Sequence, residues 1–321
     1  MKMKAKLIII SLLIALTTII DCKSGDENYL IPAKFGEKWG YIDVNGKWII
    51  NPRYDYAFLF GRYDLAVIKV EDKEGFIDKT GKIVIEPQFE LVTPFNEDGL
   101  AWFRKDGQDG YIDKKGQITD RKRENKNKDD GWRDVGFPDG KYGAINEKLN
   151  IYIEPQFDDS FTSDFEDDEW AVVSFNHEYG YIDKTGKFMI NPQFVTATQF
   201  QNDIAKVGVP HYYNYPIQYG YIDRAGKYVI EPKFAEASNF TDYGLARARE
   251  CDNCRWGIID KTGNYIAGNQ KFIDVRFFKD LEVLFVKNDE DKWGIIDRFG
   301  NYIAQPQFDD IVVYWSSIKN Y

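Results

Sequence analysis

A chain of 321 residues is longer than one hydrophobic core normally supports, which leaves two domains or an array of repeated units. With 43% hydrophobic residues, 16% aromatics and only 3 Met, the composition excludes wholesale disorder and favours strands over a helical bundle. A net charge of −10 repels phosphate backbones and argues against nucleic acid as a partner.

The chain opens on Lys2, Lys4 and Lys6, then runs uncharged from Leu7 to Ile20 and reaches Asp21-Cys22. A helix over that uncharged run spans about 21 Å, short of the roughly 30 Å hydrocarbon core of a bilayer. Residues 1–21 therefore read as an export signal rather than a membrane span. The pattern resembles a lipoprotein signal, in which the residue after the cut is a cysteine that takes the lipid. The resemblance implies lipidation of Cys22 and attachment to the membrane through that anchor. Lys23 in place of Asp matches the pattern's outer-membrane sorting. Asp21 departs from the small residue that the pattern places before the cysteine. An ordinary secretory signal with a coincidental Cys is the alternative. Removing residues 1–21 takes away three Lys and one Asp and moves the net charge to about −12. Residues 22–35 read as a tether and 36–321 as the folded β domain.

From residue 40 onward one string recurs: Gly, an aromatic or apolar residue, Ile, then Asp. The copies begin at Gly40, Gly75, Gly110, Gly143, Gly180, Gly220, Gly257 and Gly294, with Asn146 in place of Asp in the fourth. Successive glycines lie 35, 35, 33, 37, 40, 37 and 37 residues apart. Self-similarity at this period marks a repeat architecture. In each unit the segment such as Tyr41-Ile42-Asp43 reads as a strand. Asp-x-x-Gly then reads as a hairpin loop, with the Asp side chain accepting from nearby amides and the Gly taking φ > 0. A second strand follows in Trp48-Ile49-Ile50, Ile83-Val84-Ile85 or Tyr228-Val229-Ile230, where three consecutive apolar residues imply two covered faces. Twelve residues after the leading Gly stand Pro52, Pro87, Pro155, Pro192, Pro232 and Pro306, expected to close that strand. Segments such as Leu65-Ala66-Val67 and Leu245-Ala246 supply a further strand, and a short fourth completes the unit. All length variation falls between the Pro and the next Gly, as expected of strands joined by tolerant loops.

Lys38-Trp39-Gly40-Tyr41-Ile42-Asp43, together with Trp256-Gly257 and Trp293-Gly294, resembles the bacterial WG (KWG) repeat. The other copies carry Glu74, Asp109, Tyr142, Tyr179 or Tyr219 in place of the Trp. The resemblance implies an extracytoplasmic repeat protein with no shared activity, and it supplies no catalytic residues.

The fold expected is all-β, a closed β-propeller of about eight short blades, with an open hairpin solenoid as the alternative. Closure is favoured because residues 308–315 supply strand material that the first unit lacks, which predicts pairing with residues 38–50.

Chemistry is sparse. Cys251 and Cys254 stand alone as C-x-x-C, without the further ligands of a structural zinc site, and read as a local disulfide in an oxidising compartment. His177 and His211 have no nucleophile at a recognisable spacing. Asp-Lys-Thr-Gly at Asp78, Asp183 and Asp260 repeats within β-turns and lacks the context of a phosphorylated loop. The acidic run Asp164 to Glu169 lacks the order of a calcium loop, and Arg121 to Lys128 reads as a solvated segment. No cofactor, metal or catalytic group is expected. The candidate binding surface is the longest insertion, with Tyr212, Tyr213 and Tyr215. These observations imply a non-enzymatic envelope scaffold for a protein partner, or else a module for cell-envelope glycan.

Overall fold

The computed structural model describes residues 29–312 apart from 97, 120–131, 137–139, 147, 160, 162–164, 166–168, 211–216, 267–269 and 279–280. The export signal, Cys22, the basic run at 121–128, most of the acidic run, His211, Tyr212, Tyr213 and Tyr215 lie outside the described residues.

Antiparallel strands form eight small sheets, taken in chain order as sheets 1 to 8. Sheet 2 shows the plan: Tyr56–Ala57, Leu65–Val70, Lys73–Asp78 and Ile83–Phe89, each hydrogen-bonded to the next. Sheet 1 has the same four places, but its first strand comes from the far end of the chain. Asp310–Ile311 pairs with Ile31–Phe35, in the register Ala33 with Ile311 and Lys34 with Asp310. That pairing closes the ring, and the fold is an eight-bladed β-propeller. The closing strand docks one strand earlier than residues 38–50. Residues 31–35, assigned above to a tether, are a strand of sheet 1 in which Ile31 and Ala33 are fully buried. The folded domain therefore begins before residue 36.

The core lies between the sheets. Tyr41 and Ile50 of sheet 1 pack with Ala57, Ala66 and Ile68 of sheet 2. Phe285, Trp293 and Phe308 of sheet 8 pack with Ile31, Ile42 and Ile311 of sheet 1. The Ile of the repeated string is enclosed in seven of the eight copies, with Ile42, Ile77, Ile112, Ile182, Ile222, Ile259 and Ile296 at 0% exposure, and Ile145 of the fourth copy is half-buried.

Two expectations about the edge strand fail. Pro52 does not end its strand, because Trp48–Tyr54 runs through it. Trp39 pairs with Tyr54 and Tyr41 with Ile50, so Gly40 alone faces Asn51, Pro52 and Arg53. This bulge needs no N–H from Pro52. It also explains the leading glycine, since a Cβ on Gly40 would lie 2.4 Å from the Ile50 carbonyl oxygen and 2.7 Å from Pro52 N. The apolar triplet is not covered on both faces either. Its middle residue points to the opposite face from its two neighbours and meets solvent there, with Ile49 47%, Val84 40% and Val229 40% exposed.

The hairpin loops form as their sequence requires. Asp43 Oδ1 accepts from the amides of Asn45 and Lys47, both at 2.9 Å. Gly81, in the equivalent loop of sheet 2, has φ +83° and sits against Ile50 of sheet 1, where a Cβ would come within 3.2 Å of Cγ2. Gly116 meets Ile85 and Gly263 meets Ile230 in the same way, so in these sheets the loop docks on the sheet before.

Candidate functional site

The recurrent polar side chains are engaged at the junctions between sheets. Tyr41, Tyr181 and Tyr221 each donate their hydroxyl to a carbonyl in the next sheet, those of Phe58, Thr198 and Ser238, at 2.6–2.8 Å. Their rings pack on Phe60, Phe200 and Phe240 at 4.6–4.9 Å between centroids. Burial pushes the Tyr41 and Tyr221 hydroxyls above the usual tyrosine range, so both remain donors. A second junction bond joins Lys38 to Asp55, Lys141 to Asp158 and Lys292 to Asp309. The same carboxylates take a backbone N–H from a hairpin turn: Glu71 on Asp55, His177 on Asp158 and Gly36 on Asp309. The His177 amide and then the Lys141 ammonium hold Asp158 down at about 2.

The position of the motif Trp varies from sheet to sheet, and this variation creates the candidate site. Across sheet 8, Asp274, Lys287, Trp293 and Phe308 are paired side by side; across sheet 1 the equivalent row is Asp310, Lys34, Trp39 and Tyr54. The Trp fills the space towards the neighbouring sheet, with Trp293 1% and Trp39 4% exposed and Trp39 lying 5.1 Å from the Tyr56 ring. Sheet 2 carries Tyr56, Lys69, Glu74 and Phe89 in that row. Glu replaces the Trp and Tyr replaces the acid.

Without an indole there, a cleft of about 600 Å³ remains between sheets 2 and 3. Asp55, Tyr56, Phe58, Lys69, Glu71, Asp72 and Glu74 line one side, and Leu91, Val92 and Thr93 the other. Glu74 is only 6% exposed. Its Oε2 accepts the Val92 amide at 2.7 Å, and Oε1 has no hydrogen bond among the described residues. Burial raises the Glu74 carboxyl above the usual range; the Val92 N–H and the Lys69 charge offset this only in part. Two neighbouring charges are already paired, Asp55 with Lys38 and Lys69 with Asp72. The cleft thus combines apolar and aromatic walls with a buried carboxylate and an excess of negative charge. Such a surface receives a cation or a hydrogen-bond donor.

Among the described residues, none of the candidate site residues expected from sequence lines this cleft. Cys251 and Cys254 are bonded to each other in the turn between Leu245–Arg249 and Gly257–Asp260, where the Cys254 amide donates to the Cys251 carbonyl. His177 sits in a hairpin turn, where its backbone amide donates to Asp158. Among the described residues no three His, Cys, Asp or Glu side chains are grouped to hold a metal ion. The signal for Glu74 was present in sequence as a departure from the motif Trp, but only the sheet register shows what that departure opens.

The family model described as the WG containing repeat matches residues 39–73, 75–108, 142–176, 179–209, 219–253 and 293–316, more than half of the chain. No curated protein matches it. Among solved structures, a crystal structure of a eukaryotic initiation factor is 10% identical, with 85% of this chain and 72% of that chain covered and a TM-score of 0.35. Hsv2 of Kluyveromyces lactis is 11% identical, with 74% and 71% covered and a TM-score of 0.33. A streptogramin B lyase is 14% identical, with 74% and 89% covered and a TM-score of 0.27.

Proposed function

The chain belongs to the WG-repeat family, and from that premise we propose that it is a non-catalytic scaffold of the cell envelope that holds a partner protein. In this reading residues 1–21 direct export, and lipid on Cys22 anchors the propeller at the outer membrane. One observation carries the reading. The recurrent Tyr, Lys and Asp side chains are tied into the sheet junctions, whereas the one motif position that changes from Trp to Glu opens the cleft beside Glu74. A cleft with apolar walls and a carboxylate floor suits a side chain presented by another protein.

Cell-envelope glycan is the second reading, favoured by Tyr56 and Phe58 in the cleft wall, since aromatic faces stack on sugar rings. A photo-crosslinking residue at Asp72, on the rim, separates the two in intact cells. The scaffold reading expects a discrete protein adduct identified by mass spectrometry. Adducts made only of glycan fragments, or no adduct at all, refute it.

A further inference from the structure

The cleft has filled counterparts elsewhere in the ring, and they show what chemistry belongs there. Between sheets 8 and 1, the Arg276 guanidinium lies 4.1 Å from the centroid of the Trp293 ring and donates to the Ile311 carbonyl at 2.5 Å. Between sheets 7 and 8, Arg247 lies 4.4 Å from the Trp256 ring and donates to the Val275 carbonyl at 2.9 Å and to Asp274 at 2.8 Å. Between sheets 6 and 7, Lys206 lies 5.2 Å from the Tyr219 ring and donates to the Ala237 carbonyl at 2.9 Å. In three consecutive junctions a cation thus lies over the motif aromatic and ends on the same carbonyl of the next sheet.

At the junction of sheets 2 and 3 the equivalent carbonyl belongs to Val92. The places that supply the cation elsewhere hold Val67, aligned with Arg247 and Lys206, and Phe58, aligned with Arg276. Neither bears a charge. A carboxylate stands where the aromatic ring would be, and the aromatic surface has moved to Tyr56 and Phe58. The junction therefore lacks a cation at the places that supply it in those three junctions, its lining Lys69 being paired with Asp72, while keeping an acceptor, an aromatic wall and a buried anion to receive one.

We propose that this cleft receives the guanidinium of an arginine side chain carried by the partner protein, a proposal that rests on the scaffold reading above. The planar group lies against Tyr56 and donates to Glu74 Oε1, as arginine does where stacking and carboxylate pairing coincide. Lysine can supply the charge but not the planar fork.

The test is calorimetric titration of the exported chain with an N-acetylated, C-amidated Gly-Gly-Arg-Gly-Gly peptide and with its citrulline and lysine counterparts. Saturable binding of the arginine peptide is expected, with at least tenfold weaker binding for citrulline and a several-fold loss for lysine. Glu74→Gln is expected to weaken the arginine peptide at least tenfold, and Glu74→Trp, which refills the cleft, to abolish binding while raising the melting temperature. Equal binding of arginine and citrulline peptides, undiminished binding to Glu74→Gln, or no binding to the native chain overturns the proposal. If the arginine peptide fails while photo-crosslinking at Asp72 still captures a protein, the guanidinium assignment falls and the scaffold reading stands. If the peptide binds as expected but no protein is captured, the scaffold reading falls instead.

Discussion

Ring closure is the feature most open to a quantitative test, through Ile311→Ala. Ile311 is fully buried and packs with Ile31, Ala33, Phe285, Trp293 and Phe308, where the first and last described strands meet. The equivalent internal positions are Ala57, Val92, Ala197, Ala237 and Val275, so the closing strand carries a larger side chain than these counterparts. Ile→Ala removes three carbons, worth roughly 2.4 kcal/mol in transfer, and a partly relaxed cavity brings the loss to about 3 kcal/mol. For a domain of this size that corresponds to a fall of about 6 °C in melting temperature. Far-ultraviolet circular dichroism of the exported chain on heating measures it. Val229→Ala, at a position 40% exposed, is the control, with a change of about 0.5 kcal/mol or less. A melting temperature of Ile311→Ala within about 1 °C of the native protein would mean that the closing strand stands outside the cooperative unit, and the argument for a closed ring in solution would fail.

Three further outcomes follow from the junctions. Tyr221→Phe leaves the Ser238 carbonyl without its 2.6 Å donor and should cost about 1–2 kcal/mol in urea unfolding; no loss would mean that the hydroxyl does not couple the sheets. Asp158 is depressed from 3.8 to about 2, so its contribution is fully present above pH 4 and is lost as pH falls through about 2. Asp158→Asn should flatten the acid limb of the stability profile by about 1 kcal/mol after solvent screening, and an unchanged limb would refute the assignment. Gly81→Ala forces a side chain into φ +83° against Ile50 and Arg53 and should destabilise by about 2 kcal/mol in the same unfolding assay; a neutral result would contradict the docking role of the loop.

Much of the ring was legible because its physics is local. An Asp that caps its own hairpin, a Gly at φ > 0 and an enclosed Ile recur at fixed intervals, and each announces a strand or a turn. Even the complementary ends could be read, since the residues after Pro306 match what the first unit lacks. The role of Pro52 was misread because proline's missing donor is compatible with either a strand end or a bulge, and only the register of Trp39 with Tyr54 decides between them. The exposure of Ile49 was hidden for a related reason: an apolar triplet looks alike on a central strand and on an edge. Glu74 was visible as an exception to the motif, but its meaning depends on groups tens of residues away, such as Val92, which sequence spacing alone does not bring together.

The bonds that cross each junction share one arithmetic. Tyr41 to Phe58, Tyr181 to Thr198 and Tyr221 to Ser238 all span 17 residues, as do Lys38 to Asp55, Lys141 to Asp158 and Lys292 to Asp309. The stretch that sets the angle between adjacent blades is thus of constant length, and everything the chain adds or deletes comes after that angle is fixed. The intervals between successive motif glycines can therefore range from 33 to 40 residues without turning one blade relative to the next. Such a ring can diversify at its periphery while its geometry stays the same.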